Sequence, residues 1–254
     1  MPERKLGVWL PSFGHYGDHQ RLDLPLGNTD LAQARRMTRP RRRKGPSSRP
    51  VQPQLSAVPV GRAAVAPGLG LVAAFAMLYL VTAARDIVVG DTPEFAAAAA
   101  TLGVPHPPGY PLLTLVGHVF SWLPVGSIPF RVNLVSVTCG ALTVGLTYAT
   151  SLLLTGSRIA ALIAALVLGA SPLFWTWSLV FETFPLNNLL AALVLFLLVL
   201  WHRAPHEAGW LIGAAFGTGL GMANQQTIGL LAPAVCYLLW LHRAQLLAHR
   251  RVVV

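Results

Sequence analysis

The sequence predicts an all-α fold: a polytopic transmembrane helical bundle of about six spans, with interfacial helices in its first external loop and a disordered tail before it. Three observations predict it. The 254 residues are 54% hydrophobic and 11% charged with mean hydropathy +0.57, far from the balance of a water-soluble domain. Charge is segregated: residues 1–62 carry twelve of the nineteen Lys and Arg residues against four acids, a net of +8. Residues 63–254 carry seven bases against five acids, a net of +2, and hold a series of long uncharged apolar segments.

Residues 1–62 read as a disordered, basic, cytoplasmic tail, because Pro, Arg, Ser and Gln dominate and no apolar period is sustained. The run Arg39-Pro40-Arg41-Arg42-Arg43-Lys44 suits an anionic membrane surface better than nucleic acid, since no aromatics are interleaved with it. No nucleic-acid partner is expected. Residues 1–30 lack the form of a cleavable signal peptide, which leaves the first apolar segment to act as a signal anchor.

The second unit is the transmembrane domain, residues 63–254. Residues 63–84 number 22, enough for a bilayer core that needs about 20. Residues 134–154 and 160–179 are similar in length, whereas 186–201, 208–223 and 227–241 are short and call for thinning, flanking residues or partner helices. Residues 112–125 number only 14, include His118 and end at Pro124, so they read as an interfacial or re-entrant helix. Leaving that segment out of the count puts Arg158, Arg203, Arg243, Arg250 and Arg251 on the cytoplasmic side with the tail. Arg85, Arg131, Asp86, Asp91, Glu94 and Glu182 then lie outside. The excess of cytoplasmic Lys and Arg therefore selects six crossings with both termini inside, and makes residues 85–131 an external loop. Cys139 and Cys236 sit in apolar runs and read as small core residues.

Within that loop Asp91-Thr92-Pro93-Glu94 opens a short helix that Gly103 stops. The Asp-x-x-Glu spacing has the form of a capping box, with Pro in the first turn. His106-Pro107-Pro108-Gly109-Tyr110-Pro111 predicts a stiff extended elbow, since a residue before proline is pushed out of the helical region.

Gly90-Asp91-Thr92-Pro93-Glu94, Leu102-Gly103-Val104-Pro105-His106-Pro107-Pro108-Gly109-Tyr110-Pro111, Arg131-Val132-Asn133-Leu134, Trp175-Thr176-Trp177-Ser178 with Glu182, Asn187-Asn188-Leu189 and Asn224-Gln225-Gln226-Thr227 together resemble a family of polytopic membrane proteins. That family has many bacterial members, was long catalogued as a domain of unknown function, and includes the eukaryotic O-mannosyltransferase that modifies plexin and Met-type receptors. The resemblance implies a C-type glycosyltransferase fold, with a catalytic carboxylate in the first external loop. It also implies a lipid-linked sugar phosphate as donor, with mannose as the sugar by family analogy, rather than a cofactor. The partners implied are membrane lipids, a polyprenyl-phosphate sugar and a protein or glycan hydroxyl. The implied location is a bacterial plasma membrane, or the endoplasmic reticulum membrane in a eukaryote. The resembled enzymes are longer, so the chain is expected to represent the N-terminal part of such a domain.

Transfer of a sugar to a hydroxyl needs a base for the acceptor proton and groups that hold the leaving phosphate. Asp91 is the expected base and Glu94 its assistant; as helix caps both have a purely structural alternative. His106, Tyr110 and Arg131 are expected at the substrate. Their alternatives are an interfacial turn, a headgroup anchor and a snorkelling cation. Glu182 stands between two spans, where an acid is costly unless solvated, paired (Arg131 being one candidate) or functional. Asn187, Asn224 and Gln225 either line a sugar cleft or bond neighbouring helices. His118, His202 and His206 have no metal-ligand spacing, and no metal is expected. A transporter, or a truncated non-catalytic family member, remains the competing class.

Overall fold

A computed structural model describes residues 62–250, all of whose regular elements are helical. The tail expected over residues 1–62 lies, but for Arg62, outside the described residues. In chain order the elements are α1 (Arg62–Thr82), α2 (Thr92–Thr101), α3 (Pro111–Ser121), α4 (Ile128–Thr155), α5 (Arg158–Gly169) and α6 (Pro172–Trp177). There follow α7 (Thr183–Arg203), α8 (Ala208–Met222), a 3-10 segment (Gln226–Leu231), α9 (Ala232–Leu241) and α10 (Arg243–Arg250).

Among the described residues, three helices are long and apolar enough to cross a membrane: α1 over Val65–Thr82, α4 and α7. The other three expected crossings are shorter or broken, two of them for a local reason. Residues 160–179 divide at Ala170–Pro172, because Pro172 has no N–H to donate and forces Ser171 to an extended ψ of 128°. The 12 residues of α5 reach only about 18 Å. Residues 227–241 begin as the 3-10 segment and become α-helical only at α9, with Pro233 in its first turn. In contrast α4 begins six residues before the apolar run does. Ser127 accepts from the Phe130 N–H as its N-cap, and Pro129 occupies the first turn. The tight reversal after α4 is equally local: Gly156 takes a left-handed φ of 68°, and Ser157 at once caps α5.

α4 is the central helix, packed against α1, α5 and α7 along its length and against α2 and α3 near its start. One apolar cluster joins α1, α4, α5 and α6 through Phe75, Tyr79, Val144, Tyr148, Ala161 and Phe174. A second joins α2 and α3 to α4 and α7 through Phe95, Ala99, Leu113, Val132, Phe181 and Leu190. α8 closes on α7 through Val194, Leu198 and Ala214. With no hydrophobic drive inside lipid, polar contacts and close small-residue packing hold such helices together. The Tyr79 hydroxyl donates to the Gly169 carbonyl at 2.7 Å, satisfying a group that the break before Pro172 leaves without its helical partner. Arg203 donates to the Leu153 carbonyl at 3.0 Å, tying the far ends of α7 and α4.

Close packing predicts an unequal response to alanine. A methyl group at Gly140 would stand 2.8 Å from the Ser178 Cβ and 3.2 Å from Tyr79, whereas one at Gly70 meets nothing. Gly140→Ala is expected to destabilise the detergent-solubilised protein by about 1–3 kcal/mol. Gly70→Ala is expected to leave it unchanged or up to about 1 kcal/mol more stable. Thermal melts of both variants check this.

Candidate active site

The residues of the 85–131 loop assemble where α1 ends, α4 begins and α7 begins. α2 and α3 fold back on one another as a pair. His118 Nδ1 donates to the Ala99 carbonyl at 2.7 Å, and Gly117 admits Phe181 and Ala99 where a Cβ would collide with both. Between the two helices the chain turns at the proline-rich elbow. Leu102, not Gly103, takes the left-handed turn that stops α2 (φ 54°), and the Gly103 N–H closes it on the Ala98 carbonyl at 2.9 Å. Tyr110 also departs from the extended conformation expected before a proline, at φ 40° and ψ 56°. A tyrosine there is strained by about 1–3 kcal/mol. It is held by edge-on packing against Phe95 (5.2 Å between ring centres) and His106 (5.4 Å), with the Tyr110 carbonyl accepting from Thr114.

The capping box does not form. Asp91 is itself helical at φ −82°, ψ −12°, and its side chain caps nothing. The physical reason is that Glu94 turns away to a better partner. Its two oxygens accept from the His106 backbone N–H at 2.6 Å and pair with His106 Nδ1 at 2.8 Å. One carboxylate thereby clamps both the backbone and the ring of the elbow to α2. The clamp holds the Glu94 carboxyl below its ordinary range, chiefly through the His106 ring hydrogen bond. It also pushes the His106 imidazole above its usual value, chiefly through the same bond, with Asp91 and Glu182 adding their negative field.

Glu182 is the second anchored acid. It is buried, and the hydroxyl of buried Thr92 makes a long, weak hydrogen bond to its Oε1 at 3.5 Å across 90 residues of sequence. Burial raises its pKa, and the negative charge of Asp91 pushes in the same direction. Thr92 therefore ties the residue beside Asp91 to the entry of α7. Asp91, exposed between these two anchored acids, is the one carboxylate of the three with no hydrogen bond from a side chain or a cap.

Asp91, Glu94, His106, Tyr110 and Glu182 are thus brought together, but Arg131 is engaged elsewhere. Its guanidinium donates to the carbonyls of Val125 (2.8 Å), Ser121 (3.1 Å) and Gly126 (3.0 Å), closing the turn between α3 and α4. The Arg131–Glu182 pair is not formed. Arg85 packs its charge over Phe130 at 4.4 Å. Asn187 and Asn224 meet the neighbouring segment at the first turns of α7: Asn224 Nδ2 donates to the Thr183 carbonyl at 3.0 Å, and Asn187 Nδ2 to the Thr227 hydroxyl at 3.3 Å, with Gln225 next in the chain after Asn224.

Three positioning residues were not singled out as site residues by the sequence reading. Thr92 and Phe95 flank the carboxylates, and fully buried Asn133 bridges the Ala84 carbonyl (2.9 Å) and the Phe181 N–H (2.7 Å). A polar amide inside the membrane-spanning α4 was the available signal for Asn133. Thr92 and Phe95 carry no comparable signal in the sequence. An apolar groove of about 490 Å³ between α1, α4, α7 and α8, lined by Val72, Tyr148, Phe196 and Trp210 among others, lies along the other halves of these helices and shares none of these residues.

An all-α integral membrane protein with an acidic cluster where its helices end is the class that fold and site define. The protein O-mannosyl-transferase TMEM260 N-terminal domain family matches residues 91–248, from Asp91 through every residue of the cluster. The mouse protein O-mannosyl-transferase TMEM260 is 36% identical over 193 residues, covering 74% of this chain and 27% of the relative. The Dictyostelium discoideum protein of the same name is 28% identical over 180 residues, covering 65% and 22%. The chain belongs to this family and spans about a quarter of the length of these relatives. No solved structure matches it.

The Glu94–His106 clamp has a defined pH window. The depressed Glu94 pKa makes its contribution fade as pH falls through that value, below 4.5; the raised His106 pKa makes it fade as pH rises through a value above 6.5. Titration of the His106 ring by NMR is expected to give a pKa above 6.5 that falls back toward 6.5 in Glu94→Gln. An unchanged pKa in the variant would mean that the clamp is absent in solution.

Proposed function

We propose that this chain carries the reaction centre of a membrane O-mannosyltransferase that moves mannose from a polyprenyl-phosphate donor to a protein hydroxyl. The reaction takes place on the non-cytoplasmic face of the membrane. The observation that carries the reading is the division among three neighbouring carboxylates: Glu94 and Glu182 are anchored, and Asp91 is left exposed without a cap to make. Family membership supports the sugar, the printed names of the relatives support a protein acceptor, and the charge asymmetry of the sequence supports the sidedness.

In the proposed step Asp91 accepts the proton of the acceptor hydroxyl as that oxygen attacks the anomeric carbon. The new carbon–oxygen bond forms while the bond from the anomeric carbon to the donor phosphate breaks. The electron pair leaves with the polyprenyl phosphate. His106, held protonated to a higher pH than an ordinary imidazole, supplies positive charge for that phosphate, and Tyr110 offers a ring edge to the sugar. The fold reading that goes with this is C-type glycosyltransferase-like, and the chain is the N-terminal part of the longer enzyme.

Asp91→Asn removes the base while leaving every hydrogen bond described above in place. In full-length protein reconstituted with polyprenyl-phosphate mannose and a protein acceptor, transfer is expected to fall about 10²–10⁴-fold with an unchanged melting temperature. Wild-type turnover in this variant would remove Asp91 from the mechanism.

A further inference from the structure

Among the described residues, four buried side-chain polar atoms have no hydrogen-bond partner: Ser136 Oγ, Asn187 Oδ1, Asn224 Oδ1 and Gln225 Oε1. Three of the four are amide oxygens at a single joint, where the first turns of α7 meet the segment entering the 3-10 helix. Thr183 and Asn187 are four residues apart and share one face of α7, about 6 Å along its axis. That face receives Asn224 and Thr227. The orientation of Asn224 is determined by chemistry: its amide must present N–H to the Thr183 carbonyl, so Oδ1 faces the other way. Asn187 meets a hydroxyl, which both donates and accepts, so either orientation leaves one of its amide groups without a partner.

Resting on the mannosyl-transfer reading, we infer that these three amides form the subsite that reads the hydroxyls of the donor's sugar ring. A buried amide group left unmet is costly, and three at one joint call for a ligand whose hydroxyls both donate and accept. A pyranose brings such hydroxyls. The set is neutral, which suits a hydroxyl rather than an ammonium group, and the positive end of the α7 dipole disfavours a cation there. The location also fits. Thr183 follows Glu182 directly, and Glu182 is tied through Thr92 to the residue beside Asp91. A sugar in this subsite therefore lies one helical turn from the cluster that acts on its anomeric carbon.

The test measures binding, not turnover. Full-length protein in nanodiscs is titrated with polyprenyl-phosphate mannose, with its four monodeoxy analogues (2-, 3-, 4- and 6-deoxy) and with bare polyprenyl phosphate. Gln225→Met and Asn187→Leu serve as the variants, since Asn224 also anchors Thr183 and its loss endangers the fold. At least one deoxy donor is expected to bind wild type roughly tenfold more weakly than the parent, which corresponds to about 1.4 kcal/mol. In Gln225→Met or Asn187→Leu that ratio is expected to shrink to below about threefold. Gln225→Met without donor is expected to melt no lower than wild type, because it removes an unmet acceptor. Equal binding of all four deoxy donors overturns the subsite. So does a deoxy penalty that persists in both variants, or a lower melting temperature of Gln225→Met with that penalty intact, which marks an ordered water as the only occupant. Equal binding of the mannosyl and bare lipids overturns the subsite but leaves the lipid-phosphate reading standing. Failure of folded wild type to bind either lipid sinks that reading and the subsite with it.

Discussion

Asn133 hydrogen-bonds two parts of the chain that are 97 positions apart, and the carboxylate cluster depends on that bridge. Its amide donates to the last carbonyl after α1, at Ala84, and accepts from the N–H of Phe181 just before α7, while the residue itself rides in the first turns of α4. The Ala84 N–H meanwhile donates to the Leu179 carbonyl at 3.2 Å. Three helix ends are therefore locked at one level. Removing the amide would leave a buried N–H unmet at Phe181, at about 1–3 kcal/mol, and release the part-buried Ala84 carbonyl.

Once those ends are locked, Glu182 enters the cluster from one side and the α2–α3 pair from the other. Each side contributes one acid that is already occupied. Glu94 clamps the proline-rich elbow, and Glu182 receives the Thr92 hydroxyl. Asp91 is carried between them by its neighbours Thr92 and Phe95, both of which are buried. Its own side chain has no structural duty. A carboxylate held in place by surrounding residues, and not by its own bonds, retains its lone pairs for chemistry.

Much of this was legible in the sequence, and the rest was not, for physical reasons. Every apolar segment became helical, and residues 112–125 hold the short helix α3, which ends at Ser121, before Pro124. The acidic loop and its histidine were also legible, since carboxylates are scarce here and stand beside prolines. Two things were hidden. The continuity of 160–179 and 227–241 read as spans on hydropathy alone, yet Pro172 and the 3-10 segment interrupt them. The partners of Glu94 and Arg131 depend on how the elbow folds back. Local spacing offered Glu94 a cap, and a position near the membrane suggested substrate, Glu182 or lipid for Arg131, but a histidine ring and three turn carbonyls lie nearer.

The proposed reaction requires the acidic cluster to stand at the non-cytoplasmic end of the bundle. Val89 is almost fully exposed and lies two residues before Asp91, so a cysteine there reports the side of the membrane directly. With Cys236 replaced by alanine and buried Cys139 retained, Val89→Cys in intact cells should react with a membrane-impermeant maleimide without permeabilisation. Reaction only after the membrane is opened would put the cluster on the cytoplasmic side and contradict the account.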